Sequence, residues 1–529
     1  MADAGHEYAE GRIEAVTRDI QAVYAEAAAK AEEELRRHLE RFEAKDTEFR
    51  EAVEAGDMPE ADWRAWRERQ MIQGRRWREL AQRMAEGYTS ANQAAAQVIN
   101  GELPTVAAEN ANYGAYQVDS AAGVDTSFSL QDEATVHTLL SGSSAYLPEV
   151  FVAAAADIAW NRKGIQSAVT QGILLGESIP KIAKRMQSVG AQNRAQAVRW
   201  ARTYTTAAEN AGRVASYERA KGMGIKLKQE WLATLDGRTR HSHRQLDGER
   251  REVGKKFSNG CRYPGDPQAA YAEICNCRCT LVAAVDGIDQ DSADRFSRLP
   301  AGTTYEQWKA GKAAEAAAKE LQASLTTKQA MSAKAVRAIV SKVVPLGAES
   351  GKTAADYIDL GNMSVRKAAL FDEAIKYVPT KMLKTVKAAG VKAERDMLLD
   401  RSGFDPNMNT LHIGQDADEL TVVHELMHAV EEHDAKFLAA ERLYFRERTK
   451  GKTAEKLSVL TGDSRYTDDE WSFDMGSNCI DAYAFKDYGG DGYELMSVGV
   501  EMLYRSPSAY EKDPDMLKWV IKRLARYGK

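Results

Sequence analysis

The sequence predicts a multidomain, mainly α-helical chain with a long helical N-terminal region, a small α+β module and a C-terminal α+β domain. Three observations predict it. The chain has 529 residues, several times the roughly 100–200 residues of one domain. Stretches near 7–99, 134–223 and 305–346 carry apolar residues at helical spacing, the first and last rich in Ala and Glu. Between Ile225 and Val285, Gly, Pro, Thr and Cys rise and apolar residues alternate, the pattern of short strands joined by loops. The expected divisions are 1–133, 134–285, a helical connector 286–351, and 352–529.

Composition narrows the function. Hydrophobic residues make up 44% and charged residues 28%, enough apolar surface for packed cores, which excludes a disordered chain. Lys and Arg number 72 against 78 Asp and Glu, a net charge of -6, so any contact with DNA has to be local. Four of the five cysteines, Cys261, Cys275, Cys277 and Cys279, crowd one stretch, unlike a disulfide framework, and Cys479 stands alone. The start, Met1 to Glu7, lacks the basic-then-apolar pattern of a secretory signal, and the most apolar window, Tyr146 to Trp160, is broken by Pro148, Glu149 and Asp157. A soluble protein made in a reducing cytosol, with no membrane partner, is the expectation.

Taken in order, residues 7–99 read as long amphipathic helices. From Asn100 to Ser129 the composition turns to Gly, Ala, Ser, Thr and Asn, with Pro104 and Tyr113 inside, and reads as a loop or flexible arm. Helical spacing returns from Ala134 to Met223 and breaks near 176–180, where Ser178 suits an N-cap and Pro180 a first turn.

The α+β module holds Trp231, Asp236, Arg238-Thr239-Arg240, His241, His243, Leu246-Asp247-Gly248, Pro264-Gly265-Asp266-Pro267 and Asn276-Cys277-Arg278-Cys279. By residue type, His241 or His243 with two or three cysteines allows a four-ligand zinc site, although the spacing fits no standard finger. On a strand, Cys275, Cys277 and Cys279 would face one way and crowd a single ion. The favoured alternative is that Asp236, Arg240 and His243 hold the loops together by hydrogen bonds.

These residues, in this order, resemble the Mu F family of phage minor head proteins, also called head morphogenesis proteins. Gly164-Ile165-Gln166, the stretch Gly172 to Ile179, Ala201-Arg202-Thr203 and Ala208-Glu209-Asn210 extend the resemblance to roughly 134–285. Tyr204 departs from it, since such proteins often carry Glu there. The resemblance implies a virion component inside the head near the portal, with portal, capsid and scaffold proteins as partners and packaged DNA as a further contact. It also implies a variable C-terminal effector domain.

The C-terminal region contains His424-Glu425-Leu426-Met427-His428. On a helix, residues four apart lie about 40° from each other in projection, so both imidazoles reach one Zn2+ ion while Glu425 lies beside them as a proton acceptor. Zinc held this way keeps a position for water and brings the pKa of that water towards about 7, which suits hydrolysis of a peptide or protein. Leu420, Val423, Met427 and Val430 form the buried stripe of the same helix. Asn409 to Ile413 alternates as a short strand, an edge for an extended substrate.

The third ligand is expected from downstream. His433 is nine residues past His424, about half a turn away, and no Gly at 431 ends the helix, so it reads as surface. Glu494 and Glu501 are seven apart and share a face, Glu494 as ligand and Glu501 supporting a ligand histidine. Tyr488 or Tyr493 offers a hydroxyl to the oxyanion, with packing as the alternative role. Residues 409–504 resemble gluzincin-type metallopeptidases, including toxin-like ones, which implies a zincin-like domain. The functions to separate are therefore a head protein with an active zinc endopeptidase, a head protein with an inactive zincin fold, and a bacterial toxin built on the same module.

Overall fold

The computed structural model describes residues 3–71, 75–141, 143–175, 177, 179–288, 296–326, 332–361, 363–395, 402–464, 466–490 and 492–527. It is mainly helical and divides into two compact units, Met1–Tyr305 and Glu306–Lys529.

The first unit is built on α1 (Ala4–Glu54), α2 (Glu60–Met71), α3 (Arg75–Ala122), α4 (Glu133–Ser141), α5 (Ala154–Leu174) and α6 (Ile179–Gly222). The Asp3 side chain caps α1 by accepting from the His6 amide, and Ile13, Val16, Ile20 and Tyr24 form its buried stripe. Helices α1, α3 and α6 pack on one another, so residues 1–133 and 134–285 share one unit. Pro180 stands in the first turn of α6, as its fixed φ favours, while Ser178 lies outside the described residues.

The expected arm at 100–129 is corrected: α3 continues as helix to Ala122 with Pro104 inside it. Composition misleads here because the small residues serve close packing. Ala107, Ala111 and Gly114 let α3 lie against α6 near Gly212 and Arg213, and the amides of Asn110 and Asn112 find buried partners. Tertiary contact outweighs a modest helix propensity.

After α6 the chain forms the antiparallel sheet β3-β2-β4, with β2 Ile225–Leu232, β3 Arg250–Glu252 and β4 Thr280–Ile288, and the short helices α7 (His241–Gln245) and α8 (Tyr271–Ile274) beside it. Along β2, Ile225, Leu227, Gln229 and Trp231 are buried, the alternation expected of a half-covered strand. A two-residue strand β1 (Val124–Asp125) pairs with β5 (Ser297–Arg298).

In the second unit, α9 (Tyr305–Thr326) and α10 (Ala333–Val340) contribute Leu321, Val336 and Val340 to the same core as Leu411 and Leu426. Helices α11 (Val365–Ala374) and α12 (Thr380–Ala389) lead to the sheet β6-β8-β7, formed by β6 Lys392–Arg395, β7 Gly403–Asp405 and β8 Thr410–Ile413. Next come α13 (Glu419–His433), α14 (Ala435–Thr449), a hairpin of β9 (Ala454–Lys456) and β10 (Trp471–Phe473) around α15 (Leu457–Thr461), α16 (Leu495–Arg505) and α17 (Pro514–Ala525). Helix α13 is capped by Asp418, which accepts from the Thr421 amide, and buries Leu420, Val423, Met427 and Val430 as expected.

The strand expected at 409–413 forms, but it is no edge. β8 runs parallel to β6 and antiparallel to β7 between them, with Thr410, Leu411 and Ile413 buried. A strand with both sides hydrogen-bonded has no free ladder to offer, so β7 is the edge next to the cleft described below.

Candidate metal centre

Helix α13 places His424 and His428 one turn apart, facing Glu494, the residue just before α16. The Nε2 atoms of the two histidines are 3.3 Å apart, and they lie 3.2 Å and 3.0 Å from Glu494 Oε2. A tetrahedral zinc ion with bonds of about 2.0–2.2 Å separates its ligand atoms by about 3.3–3.5 Å, so the donor set fits that ion. The outer nitrogens agree. His424 Nδ1 meets Glu501 Oε2 at 2.9 Å and His428 Nδ1 meets Glu431 Oε2 at 3.2 Å. With a carboxylate at each Nδ1, that nitrogen carries the proton and each Nε2 lone pair faces inward. Converging lone pairs and a carboxylate call for a cation. Burial alone would lower the His424 pKa, yet Glu494 and Glu501 raise it, so the carboxylates around this ring favour positive charge at the site, whether from a proton or from a bound cation.

Glu494 is 2% exposed and accepts from Tyr488 Oη at 2.6 Å and Ser497 Oγ at 2.8 Å. Burial opposes its ionisation, but the two histidines hold it well below the usual carboxylate range. Glu425 is buried beside them, and burial raises its pKa. These groups line a cleft of about 1010 Å³ whose wall includes Gly403 and Phe404 of β7 and Tyr483.

The structure thus brings together His424, Glu425, His428, Glu494 and Glu501. Tyr488 joins them through the Glu494 carboxylate, to which its hydroxyl donates. Tyr493 packs its ring against Phe445 at 5.1 Å and gives its backbone N–H to Glu431 Oε1 at 2.8 Å. His433 is exposed and hydrogen-bonds Asn409 Oδ1 at 2.8 Å, away from the cluster. The sequence reading missed Glu431, although it stands one turn after His428 on the same helix. It also missed Tyr483, whose ring lies 6.4 Å from that of His424 and for which no local signal exists.

A second cluster lies in the first unit. Trp231, fully buried at the end of β2, packs edge-on against His243 at 5.3 Å and Phe257 at 5.1 Å. His243 Nδ1 is 3.6 Å from Cys277 Sγ and 3.4 Å from Cys279 Sγ, and its Nε2 is 3.1 Å from Glu273 Oε2. The thiol of Cys277 and the ring of His243 pull the Cys279 thiol below its ordinary value against the effect of burial. Asp236 forms a two-pronged ion pair with Arg278 at 2.6 Å and 2.7 Å, and Arg240 donates to the Cys275 carbonyl. Residues 275–279 form a turn and a loop, not a strand that would face all three thiols one way. Asn276 adopts φ 55°, and the Cys275 thiol pairs with the Tyr271 hydroxyl instead of joining Cys277 and Cys279. The crowding of three thiols does not arise.

Residues 163–282 match the Phage Mu protein F like protein family. In this Mu F-like segment the motif on α6 grips the cysteine loop. Thr203 Oγ1 accepts from the Asn276 amide at 3.0 Å, Thr206 Oγ1 donates to the Cys277 carbonyl at 2.8 Å, and Asn210 Nδ2 donates to the Cys279 carbonyl at 3.3 Å. Gly265 of the Pro-Gly-Asp-Pro element has φ +83°, and a Cβ there would come within 2.8 Å of the Ala207 backbone. Asp266 next to it is buried and pairs with Arg262 at 2.7 Å.

The minor head protein GP7 of Bacillus phage SPP1 is 34% identical over 161 residues, covering 28% of this chain and 51% of that protein. The NAD(+)–arginine ADP-ribosyltransferase EFV of Enterococcus faecalis is 29% identical over 150 residues, 28% of this chain and 31% of that protein. The chain therefore spans about half and about a third of these relatives. No solved structure matches it. Among the described residues, no helix is long and apolar enough to cross a membrane.

Proposed function

We propose that this is a phage minor head protein whose second unit is a zinc-dependent, zincin-like endopeptidase. The head-protein reading rests on the Mu F-like segment and its likeness to GP7. It carries with it a place in the virion, inside the head near the portal, and portal, capsid and scaffold proteins as partners. The peptidase reading rests on one observation, the convergence of His424 Nε2, His428 Nε2 and a Glu494 oxygen to 3.0–3.3 Å of one another, close to the separations around a tetrahedral zinc ion.

Zinc held by these three residues supplies Lewis acidity to a carbonyl and to water. The protein supplies the rest. Glu501 and Glu431 fix the tautomers of the two ligand histidines. Glu425 accepts the proton of the attacking water on its carboxylate and passes it to the departing amine. The edge strand β7 lays an extended peptide along the cleft by main-chain hydrogen bonds. Tyr483 stands on the cleft wall as a hydroxyl donor to a developing oxyanion, while Tyr488 donates its hydroxyl to Glu494 and holds that carboxylate in place.

The test is cleavage of a peptide library by the full chain and by Glu425→Gln, with zinc content measured in both. Cleavage lost with zinc retained supports the reading, and equal cleavage by both refutes it. An inactive fold would show zinc in both and cleavage in neither. The likeness to an ADP-ribosyltransferase favours one further reading, an effector toxin that uses the same segment. Toxicity on expression in the host cytoplasm, abolished by Glu425→Gln, would favour it.

A further inference from the structure

We infer that His243, Cys277 and Cys279 form a second zinc site, inside the Mu F-like segment and independent of the one at His424. The donor atoms lie within 4.8 Å of one another, and the three residues are 1%, 1% and 2% exposed. With bonds of about 2.3 Å to sulfur and 2.0–2.1 Å to nitrogen, a tetrahedral zinc ion separates a thiolate from an imidazole nitrogen by about 3.6 Å. The two separations here are 3.6 Å and 3.4 Å.

The protonation pattern points the same way. Glu273 accepts at His243 Nε2, and a carboxylate can only accept, so that nitrogen carries the proton and Nδ1 presents a lone pair towards both sulfurs. Glu273 is itself fixed by Asn259 Nδ2 and Ser242 Oγ, each at 3.2 Å. A carboxylate orienting a histidine whose other nitrogen faces two thiols is the outer arrangement that zinc-binding histidines use. The loop is set in advance as well. The carbonyls of Cys277, Arg278 and Cys279 accept from Thr206, Thr234 and Asn210, and the left-handed Asn276 turns Cys275 out of the cluster. Two thiolates and a neutral imidazole cancel the charge of a divalent ion, which makes deep burial tolerable. The ion would tie α7 to the loop before β4, which α6 already holds from the other side by hydrogen bonds.

The experiment uses the full chain carrying His424→Ala and His428→Ala, purified under reducing conditions from zinc-supplemented cells. Elemental analysis is expected to find about one zinc per chain. That zinc should be lost on adding Cys277→Ser or His243→Ala and kept on adding Cys275→Ser. Because those losses could reflect misfolding, the unmutated chain is also reconstituted with cobalt. A sulfur-to-cobalt charge-transfer band in the near ultraviolet is expected, and the His424 site, which has no sulfur, cannot produce it. Absence of that band, absence of zinc from the His424→Ala/His428→Ala chain, or a Cys277–Cys279 disulfide in the reduced preparation would each overturn the assignment.

Discussion

Two identical substitutions in the first unit should have opposite effects. Gly101 lies on the exposed side of α3, and a Cβ there meets nothing within 4 Å. Gly101→Ala should therefore gain the ordinary helix preference of Ala, about 1 kcal/mol. Gly212 on α6 faces the backbone of α3. A Cβ there would overlap the Ala107 carbonyl oxygen and come within 2.9 Å of the Ala111 amide nitrogen and 3.0 Å of the Ala107 carbonyl carbon. All three are backbone atoms, so no rotamer change relieves the clash and the helices have to separate. Overpacking typically costs roughly 1–3 kcal/mol, and a backbone clash belongs at the upper end. Subtracting the preference of about 1 kcal/mol leaves Gly212→Ala destabilising by about 2 kcal/mol, so the two variants differ by about 3 kcal/mol. Hydrogen exchange of peptides from α3 and α6 reads this locally, even in a chain with two units. The gap corresponds to about two orders of magnitude in protection. Equal or increased protection in Gly212→Ala would refute the close approach of α3 and α6.

Three further outcomes follow from the geometry. Glu501→Gln keeps the shape but weakens the partner of His424 Nδ1, and zinc affinity, measured by competition with a chelator, should fall about 10- to 100-fold while α16 stays protected from exchange. Arg448→Met strands Asp513, which is 3% exposed and held by Arg448 at 2.8 Å and 3.0 Å; the loss should be about 3 kcal/mol, the low end for a broken buried pair because Asp513 keeps the Met516 amide, and exchange on α17 would report it. Burial alone would raise the Asp3 pKa, but two bonds of 2.7 Å from the buried Arg213 hold it below the ordinary value. A depressed carboxyl stabilises the fold above its unfolded pKa of about 3.9 and loses that contribution as pH falls through the folded value. Wild type should therefore exceed Asp3→Asn in stability at neutral pH, with the difference shrinking only below about pH 4, as followed by exchange on α1.

What could be read from the sequence was local. The spacing of His424 and His428 places both imidazoles on one face of any helix that carries them, and the stripe of Leu420, Val423, Met427 and Val430 says which face is buried. Glu494 and Glu501 were legible as acidic residues seven apart, Glu494 as the ligand and Glu501 as support for a ligand histidine, but the spacing puts them on one helix face. The structure shows where each stands: Glu494 precedes α16 and meets both Nε2 atoms, while Glu501 on the helix meets Nδ1 of His424 and Arg505. The role of Glu431 was hidden because a carboxylate one turn after a histidine is common on solvated helix faces, and only the approach of the Tyr493 amide and the burial of the site distinguish it.

The sequence by itself determined the helices, their buried faces, the histidine pair and the order of the Mu F-like motif, because all of these depend on spacing within a few turns of chain. Tertiary structure alone decided that residues 100–122 are helix, that β8 is central and β7 the edge, and that His243 meets Cys277 and Cys279. Most of the partners involved lie tens of residues away or more, as with α6 for residues 100–122 and residues 277–279 for His243. Close helix packing, strand order and the convergence of side chains are free energies of contact between segments, and no local propensity encodes which segments meet.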